Sequence, residues 1–197
     1  MKKIELKTKT LLSGISRFIQ YGDLPTEYYI KKGMTVGKNF CRQGSTKFDI
    51  TNCYLISFGD NITVANGVQF LAHDDTTVEE LGYRKVGKII VGNNVFFGAK
   101  STVLMNTKIG NDVIIAAGSM VTKDIPDNTI VAGVPAKVIG KVDEYMEKNR
   151  KLMQEKKVFD VNHSIYGDFT NANKDELIKA LEKDIAFVKI KKLSKGE

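Results

Sequence analysis

With 197 residues, the chain is long enough for one domain with a sizeable core and short additional segments, and its hydrophobic content of 42% is ordinary for a soluble globular protein. No run of residues approaches the ~18 consecutive apolar positions that a membrane-spanning helix needs, which argues against a transmembrane protein. The net charge is +7, but residues 33–136 carry nine basic and nine acidic residues, and this neutral middle does not predict a nucleic-acid-binding protein.

Residues 1–32 form the first predicted segment, which we expect to be helical. Within residues 6–19, leucine, isoleucine and phenylalanine recur at helical spacing, so that one face of the helix is apolar. We predict that this face packs against the end of the following domain rather than on a membrane surface. Basic residues precede the apolar stretch, but Arg17 interrupts it and no cleavage site of small residues follows, so a signal peptide is not predicted.

The two cysteines, Cys41 and Cys53, form no CxxC pair and no cluster with histidine at the spacing of a metal site. We therefore expect no bound metal and no disulfide scaffold. A reducing cytoplasm is the expected location, with both cysteines present as partly buried thiols.

A six-residue repeat dominates the middle of the chain. Residues 91–126 divide into the hexads VGNNVF, FGAKST, VLMNTK, IGNDVI, IAAGSM and VTKDIP, which all begin with a large apolar residue and mostly continue with a small one. A helix has a period of 3.6 and a simple strand a period of two, so neither explains the pattern. A period of six predicts a β-solenoid, in which each hexad forms one short strand and one corner. Looser copies of the apolar position occur upstream at Ile50, Ile56, Ile62 and Val68.

The repeat is interrupted after Val68. Val91 lies 23 residues further on, which is not a multiple of six, so we predict an inserted loop at residues 74–88. His73 is the last residue before this loop and is expected at a corner of the solenoid, where it is a candidate catalytic base.

The inserted loop contains GYRKVGK, which has the spacing of a phosphate-binding loop. Ile89 stands where that motif requires serine or threonine, and a strand follows where a helix is required, so a phosphate loop is not predicted. Arg84 in this loop is instead a candidate contact for an anionic or nucleotide-linked sugar, and a solvated loop without that role is the alternative.

Residues 141–197 predict a helical tail. Residues 141–157 are charged and helix-prone, and the stretch NKDELIKALEKDIAFVKI predicts an amphipathic helix with Asn173 as its N-cap. His163 lies between the two helices and is interpreted as a structural or surface residue, because no other candidate functional residues surround it in the sequence.

The segment VGNNVFFGAKSTVLMNTKIGNDVIIAAGSMVTKDIPDNTIVAGVPAKVI resembles the hexapeptide-repeat acyltransferases, and its closing part, VTKDIPDNTIVAGVPAKVI, is highly specific for them. The resemblance covers residues 33–140. It points to the sugar O-acetyltransferases that act on capsular polysaccharide or lipopolysaccharide, because the short helical N-terminal domain of the maltose enzymes is missing. The resemblance implies an all-β solenoid, a left-handed parallel β-helix with three hexads per turn, and homotrimers that bind acetyl-CoA between neighbouring subunits.

The resemblance also implies roles for individual residues. The catalytic histidine of the family precedes the inserted loop and matches His73. The contacts of acetyl-CoA match Ala99, Ala117, Thr122, Lys123 and Lys137. An aromatic position of the family is Phe96 here, and the positions that hold the acceptor sugar fall near Gln43 and on Asn52 or Cys53. The candidate acceptor-binding residues are therefore Asn52, Arg84 and Phe96.

A single histidine can carry out the implied reaction. A sugar hydroxyl keeps its proton at neutral pH, and a neutral imidazole accepts this proton as the oxygen attacks the thioester and then protonates the departing CoA sulfur. Holding both reactants together supplies roughly 7 to 11 kcal/mol of the barrier, and a backbone N–H would stabilise the oxyanion. The sequence leaves open which carboxylate orients His73, with Asp74, Asp75, Glu79 and Glu80 as the candidates.

The sequence suggests three candidate functions. The first is an acetyl-CoA-dependent O-acetyltransferase acting on a sugar or glycan. The alternative is an N-acetyltransferase for a nucleotide-linked amino sugar, which differs because a free amine needs less help from a base. A catalytically silent trimeric scaffold is disfavoured, because a scaffold needs neither His73 nor the Thr122–Lys123 pair.

Overall fold

The computed structural model describes residues 24–190, and the chain divides after Val142 into two compact units. The apolar helix predicted for residues 6–19 lies outside the described residues. In the first unit the elements are, in order, α1 Thr26–Lys31, β1 Thr35–Val36, β2 Cys41–Arg42, β3 Lys47–Phe48, a 3-10 turn Cys53–Leu55, β4 Ile56–Phe58, β5 Thr63–Val64, β6 Gln69–Leu71, β7 His73–Asp74, α2 Val78–Leu81, β8 Lys85–Val86, β9 Ile89–Val91, β10 Val95–Phe97, β11 Thr102–Leu104, β12 Thr107–Ile109, β13 Val113–Ile115, β14 Met120–Val121, β15 Thr129–Ala132 and β16 Lys137–Lys141. They are followed by α3 Val142–Glu155, β17 Val158–Phe159, a 3-10 turn Val161–His163, α4 Asn171–Leu181 and β18 Phe187–Val188.

Three parallel sheets form the sides of a coil. Face one contains β1, β4, β9 and β12, face two contains β2, β5, β10, β13 and β15, and face three contains β3, β6, β11 and β14. The chain visits the faces in this constant order, so that one turn of the coil takes three strands. This arrangement agrees with the predicted solenoid. β16 pairs antiparallel with β15 and ends the coil, while β7 and β8 form a separate antiparallel hairpin.

The first residue of each hexad fills the core of the coil. All six of these residues are at most 4% exposed: Val91, Phe97, Val103, Ile109, Ile115 and Val121. At the other end of the coil the core is aromatic, since the rings of Phe48, Phe58, Phe70 and Phe97 contact one another with centroids 5.0 to 6.5 Å apart. The hexad pattern therefore predicted which side chains the protein buries.

The upstream repeats follow a different register from the one predicted. Ile56 lies opposite Ile89 and Phe58 lies opposite Val91, so the first hexad position upstream is occupied by Phe58, and Ile56 occupies the fifth position. Ile56 is buried, but the prediction was wrong for Ile50, which is 56% exposed.

A small second residue is favoured in most hexads because neighbouring turns of the coil approach closely. A Cβ added to Gly92 would lie 2.7 Å from the carbonyl oxygen of Gly110 in the next turn. The left-handed backbone conformation occurs two residues later, at the fourth position, with φ of 57° at Asn94 and 54° at Asp112. Asparagine and aspartate tolerate this conformation better than most residues. Their side chains also bond along the corner, since Asn94 Nδ2 donates to Asp112 Oδ1 at 2.9 Å.

α1 covers the first turn of the coil. Tyr29 of this helix is 3% exposed and contacts the ring of Phe48. Arg42 of β2 donates to the hydroxyl of Thr26 at 2.8 Å and to the backbone carbonyl of Leu24. These contacts close the aromatic end of the core against solvent.

In the second unit, two details correct the sequence analysis. The N-cap of α4 is Thr170, whose hydroxyl accepts from the backbone N–H of Asn173, so Asn173 lies inside the first turn. His163 does have ionisable neighbours, since its ring nitrogens lie 3.0 Å from Asp160 and 3.2 Å from Glu176. The hydrogen bonds with Asp160 and then Glu176 raise the pKa of His163 above its ordinary value.

Candidate active site

Two insertions interrupt the coil at one corner, between face three and face one. Phe48 and Phe58 occupy equivalent inward positions ten residues apart, whereas the hexads from Val91 to Val121 repeat every six, so four residues are added between β3 and β4. We call residues 49–55 the first insertion and residues 74–88, which follow β6, the second insertion. Because β3 and β6 are paired neighbours in face three, the two insertions leave the coil about 4.8 Å apart.

Asp49, the first residue after β3, is the buried centre of this corner and is 5% exposed. Its Oδ2 pairs with Nδ1 of His73 and accepts from the backbone N–H of Ala72 at 3.2 Å. Its Oδ1 accepts from the backbone N–H groups of Thr51 at 3.1 Å and Asn52 at 2.9 Å. An ionised carboxylate only accepts hydrogen bonds, so the contact places a hydrogen on Nδ1 of His73 and leaves the lone pair on Nε2.

The surroundings of Asp49 keep it ionised. Burial alone raises the pKa of this carboxyl, but the hydrogen bonds with His73, Asn52 and Thr51 outweigh the burial and hold the pKa below its ordinary value. The side chain of His73 is 29% exposed, so the ring is fixed from inside while its other edge is open to solvent.

Asp49 was missing from the carboxylates that the sequence analysis considered for orienting His73. Asp74 bonds to Lys85 at 2.6 Å, and Asp75 faces the opposite ring nitrogen. Asp49 precedes His73 by 24 residues, and only the pairing of β3 with β6 brings them together. The signal that was available in the sequence is the change of hexad register between Phe48 and Phe58.

The open edge of the ring faces the second insertion. Oδ2 of Asp75 lies 3.6 Å from Nε2 of His73. Arg84 binds both carboxylate oxygens of Asp75, with Nη2 donating to Oδ2 at 2.8 Å and Nε to Oδ1. This pairing with Arg84 lowers the pKa of Asp75. Nη1 of Arg84 lies 3.5 Å from the hydroxyl of Thr51, which links the two insertions.

Two candidate acceptor residues occupy different environments. Asn52 is 6% exposed, and its amide Nδ2 donates to Thr51 Oγ1 at 2.8 Å and contacts both carboxylate oxygens of Asp49. Phe96 points outward from β10 on face two and is 44% exposed. The structure therefore brings Asn52 and Arg84 to the corner of His73, whereas Phe96 lies on another face of the same chain.

The candidate CoA contacts lie along both edges of face three. Ala99 and Ala117 occupy the corner before this face in successive turns, and the backbone N–H of Gly118 donates to the carbonyl of Ala99 at 2.8 Å. Thr122 and Lys123 follow β14 at the other corner, which is the corner of His73, two strands along the coil.

Lys137 begins β16, after the last turn of the coil. The residue before it, Ala136, donates its backbone N–H to the carbonyl of Met120 in β14 at 2.8 Å. Lys137 itself pairs with Ala132 of β15, so it lies where the end of face three meets the sheet of face two. Both Lys123 and Lys137 are exposed.

Within residues 24–190, no group of three or more histidine, cysteine, aspartate or glutamate side chains is arranged to hold a metal ion. In the same part of the chain, no helix combines the length and hydropathy needed to cross a membrane.

Known proteins with similar sequences identify the family. A family model described as the hexapeptide repeat of succinyl-transferase matches residues 88–123. Protein CapG of Staphylococcus aureus is 38% identical over 146 residues, a match that covers 67% of this chain and 84% of CapG. The chain belongs to the hexapeptide-repeat acyltransferase family. The predicted family is thus confirmed.

Other relatives within the family are acetyltransferases. Galactoside O-acetyltransferase of Escherichia coli strain K12 is 33% identical over 125 residues, which cover 61% of this chain and 60% of that protein, so the chain spans less than two thirds of that relative's length. A solved structure of a galactoside acetyltransferase in complex with coenzyme A has a TM-score of 0.52 and 26% identity, and the match covers 69% of this chain and 82% of that one.

Proposed function

We propose that this protein transfers an acetyl group from acetyl-CoA to a hydroxyl of a sugar or polysaccharide, with His73 as the general base. The observation that carries the proposal is the pairing of buried Asp49 with Nδ1 of His73, which leaves Nε2 as the accessible proton acceptor between two insertions. The acetyltransferase relatives support the donor, and the galactoside relatives support a sugar acceptor.

In the proposed reaction, Nε2 of His73 takes the proton of the acceptor hydroxyl while the oxygen attacks the thioester carbonyl. Asp49 stabilises the imidazolium that forms, because its charge is adjacent to Nδ1 and is already fixed by backbone hydrogen bonds. Nε2 then returns the proton to the sulfur as the C–S bond breaks. General-base catalysis of this kind contributes about 10²- to 10⁴-fold to the rate.

The coil and its outward surface support an assembly of several subunits. Three parallel faces visited in constant order fit the left-handed β-helix of the family, which we propose here. On face two, the outward residues Phe96, Ile114 and Ile130 line up across three paired strands and form an apolar stripe. We propose a homotrimer in which this stripe meets a second subunit, so that Phe96 lies at the acceptor site of its neighbour.

The donor is proposed to lie along face three. Small side chains at Ala99 and Ala117 leave room for an extended ligand arm beside the backbone, and Thr122 can hydrogen-bond to it. In this proposal the exposed ammonium groups of Lys123 and Lys137 pair with the phosphates of CoA.

The proposal is tested by replacing His73→Ala and following the release of the CoA thiol with acetyl-CoA and a panel of methyl glycosides. We expect kcat to fall about 10²- to 10⁴-fold with KM for acetyl-CoA nearly unchanged, because the base is lost while the donor contacts remain. His163→Ala, which removes the other histidine, is the matched control and is expected to retain wild-type turnover. Wild-type turnover in His73→Ala would contradict the proposal. Turnover restricted to amino sugars and independent of His73 would favour the N-acetyltransferase.

A further inference from the structure

The open edge of His73 and the carboxylate of Asp75 form a pair of facing acceptors. Nε2 and Oδ2 are 3.6 Å apart, which is too long for a hydrogen bond between them. When the ring is neutral, its hydrogen lies on Nδ1 toward Asp49, so Nε2 offers a lone pair. Asp75 is ionised and also only accepts. The resting site therefore presents two acceptors and no donor between them.

Asp75 is held in this position by the rest of the corner. The oxygen that faces His73 is the one that accepts from Nη2 of Arg84 at 2.8 Å, and the other oxygen accepts from Nε. Arg84 is in turn 3.5 Å from the hydroxyl of Thr51 in the first insertion. Because both oxygens of Asp75 bind Arg84, the cation is paired and is less available to an anionic group of the substrate. The side chain of Asp75 is 48% exposed, so it remains accessible to a ligand.

Two adjacent acceptors match a ligand with two adjacent donors. Neighbouring hydroxyl groups of a sugar ring supply this arrangement, with one O–H directed to Nε2 and the next to Oδ2. On the basis of the function proposed above, we infer that Asp75 binds the hydroxyl next to the one that is acetylated and thereby selects acceptors that contain a vicinal diol. Arg84 is the positioning residue for Asp75.

An acceptor without the second hydroxyl is penalised for a physical reason. The charged oxygen of Asp75 would lose water on binding without gaining a donor from the ligand, and an unpaired polar group in a binding site costs more than the bond contributes. An anionic substituent at the same place would face the carboxylate directly. Asp75 thus discriminates between acceptors that carry a hydroxyl at this ring position and acceptors that carry hydrogen or an anionic group there.

The experiment measures kcat/KM for methyl hexopyranosides and their monodeoxy derivatives with acetyl-CoA, and locates the acetyl group on each product by NMR. With the unchanged protein, we expect removal of the hydroxyl next to the acetylated one to lower kcat/KM about 10- to 100-fold, as expected for a hydrogen bond to a charged group. In Asp75→Ala, the intact glycoside should lose a similar factor and the penalty for the deoxy derivative should fall to less than about threefold.

Two further variants separate recognition from damage to the loop. Asp75→Asn keeps an accepting oxygen and is expected to show an intermediate penalty, which a merely disordered loop would not produce. Asp74→Asn changes the neighbouring carboxylate, which bonds to Lys85, and is expected to keep the full penalty.

The outcomes distinguish the inference from the function on which it rests. Turnover of the deoxy derivatives equal to that of the parent glycosides, or a penalty that persists undiminished in Asp75→Ala, would overturn the role of Asp75 and leave the proposed O-acetyl transfer standing. No thiol release with any glycoside would overturn both.

Discussion

The imidazole of His73 depends on a carboxylate from a different turn of the coil. In addition to its contact with the ring, Asp49 accepts hydrogen bonds from three backbone N–H groups, those of Thr51, Asn52 and Ala72. These bonds offset the cost of burying a charge and allow a buried carboxylate to remain ionised. The backbone N–H groups that bind Asp49 therefore help to set the tautomer of His73, because they fix the carboxylate that contacts Nδ1.

Replacing Asp49→Asn should reverse this tautomer. An amide NH2 facing Nδ1 would favour the form with the hydrogen on Nε2, which cannot accept the hydroxyl proton, so kcat should fall about 10²- to 10⁴-fold in protein that remains folded. The ¹⁵N shifts of the two histidine rings report directly which nitrogen carries the hydrogen. Asp74→Asn is the matched control. An unchanged ring tautomer in Asp49→Asn would contradict the proposed role of Asp49.

The same carboxyl makes stability depend on pH. Because the pKa of Asp49 is lower in the folded protein than in the unfolded chain, its stabilising contribution is complete above the ordinary pKa of aspartate, about 4, and is lost as the pH falls through the lower folded-state value. Thermal unfolding of the unchanged protein and Asp49→Asn between pH 7 and pH 3 should show the difference in Tm shrinking toward the acid end. A difference that stays constant over this range would argue against an ionised Asp49.

At the scale of the elements, close approach between turns of the coil decides which residues the corners accept. Gly92 follows a buried strand residue, and its Cα faces the backbone of Gly110 and the side chain of Asn111 in the next turn. The corner itself turns at Asn94, where φ is 57°. The glycine is thus required for space, and the asparagine two residues later is favoured by its backbone conformation.

Gly92→Ala should destabilise the coil by about 1 to 3 kcal/mol, the usual cost of forcing an additional methyl group into packed surroundings. Gly140→Ala is the matched control, because a Cβ at Gly140 meets no atom within 4 Å. Urea unfolding followed by circular dichroism measures both variants under identical conditions. Equal midpoints for the two variants would show that the close approach at Gly92 is readily relieved.

At the scale of the whole molecule, the proposed site needs residues that lie on different faces of a single chain. His73 lies at the corner between face three and face one, whereas Phe96 lies on face two beside Ile114. An apolar stripe on an outward face favours burial against another copy. The proposed homotrimer brings these surfaces together and predicts that activity and assembly depend on the same stripe.

Light scattering should give a mass three times the 21.9 kDa of the chain at micromolar concentration. Ile114→Glu places a charge in the middle of the stripe and should shift the mass toward that of one chain and abolish acetyl transfer. Lys108→Glu, on the outward side of face one, is the control and should keep the trimer. A trimer that survives Ile114→Glu would move the interface away from face two.

Much of the coil could be derived from the sequence alone because its determinants are local and repeated. A large residue every six positions, usually followed by a small one, requires only that successive strands stack in register, and the large residues of this series from Val91 to Val121 are all buried. The position of His73 before an insertion followed from counting residues. The upstream register was predicted incorrectly because Ile56 and Phe58 are both buried and both apolar, so the pattern fits either phase.

The partners of His73 were decided only by the tertiary structure. Asp49 binds one edge of the ring and Asp75 faces the other without a hydrogen bond to it. The pairing of β3 with β6 supplies Asp49, while the β7–β8 hairpin places Arg84 to hold Asp75. Nothing in the local sequence distinguishes these carboxylates from Asp74, Glu79 or Glu80. The sequence determines the chemistry of each side chain. The direction in which a side chain points at this corner depends on how two insertions, one turn apart, fold against each other.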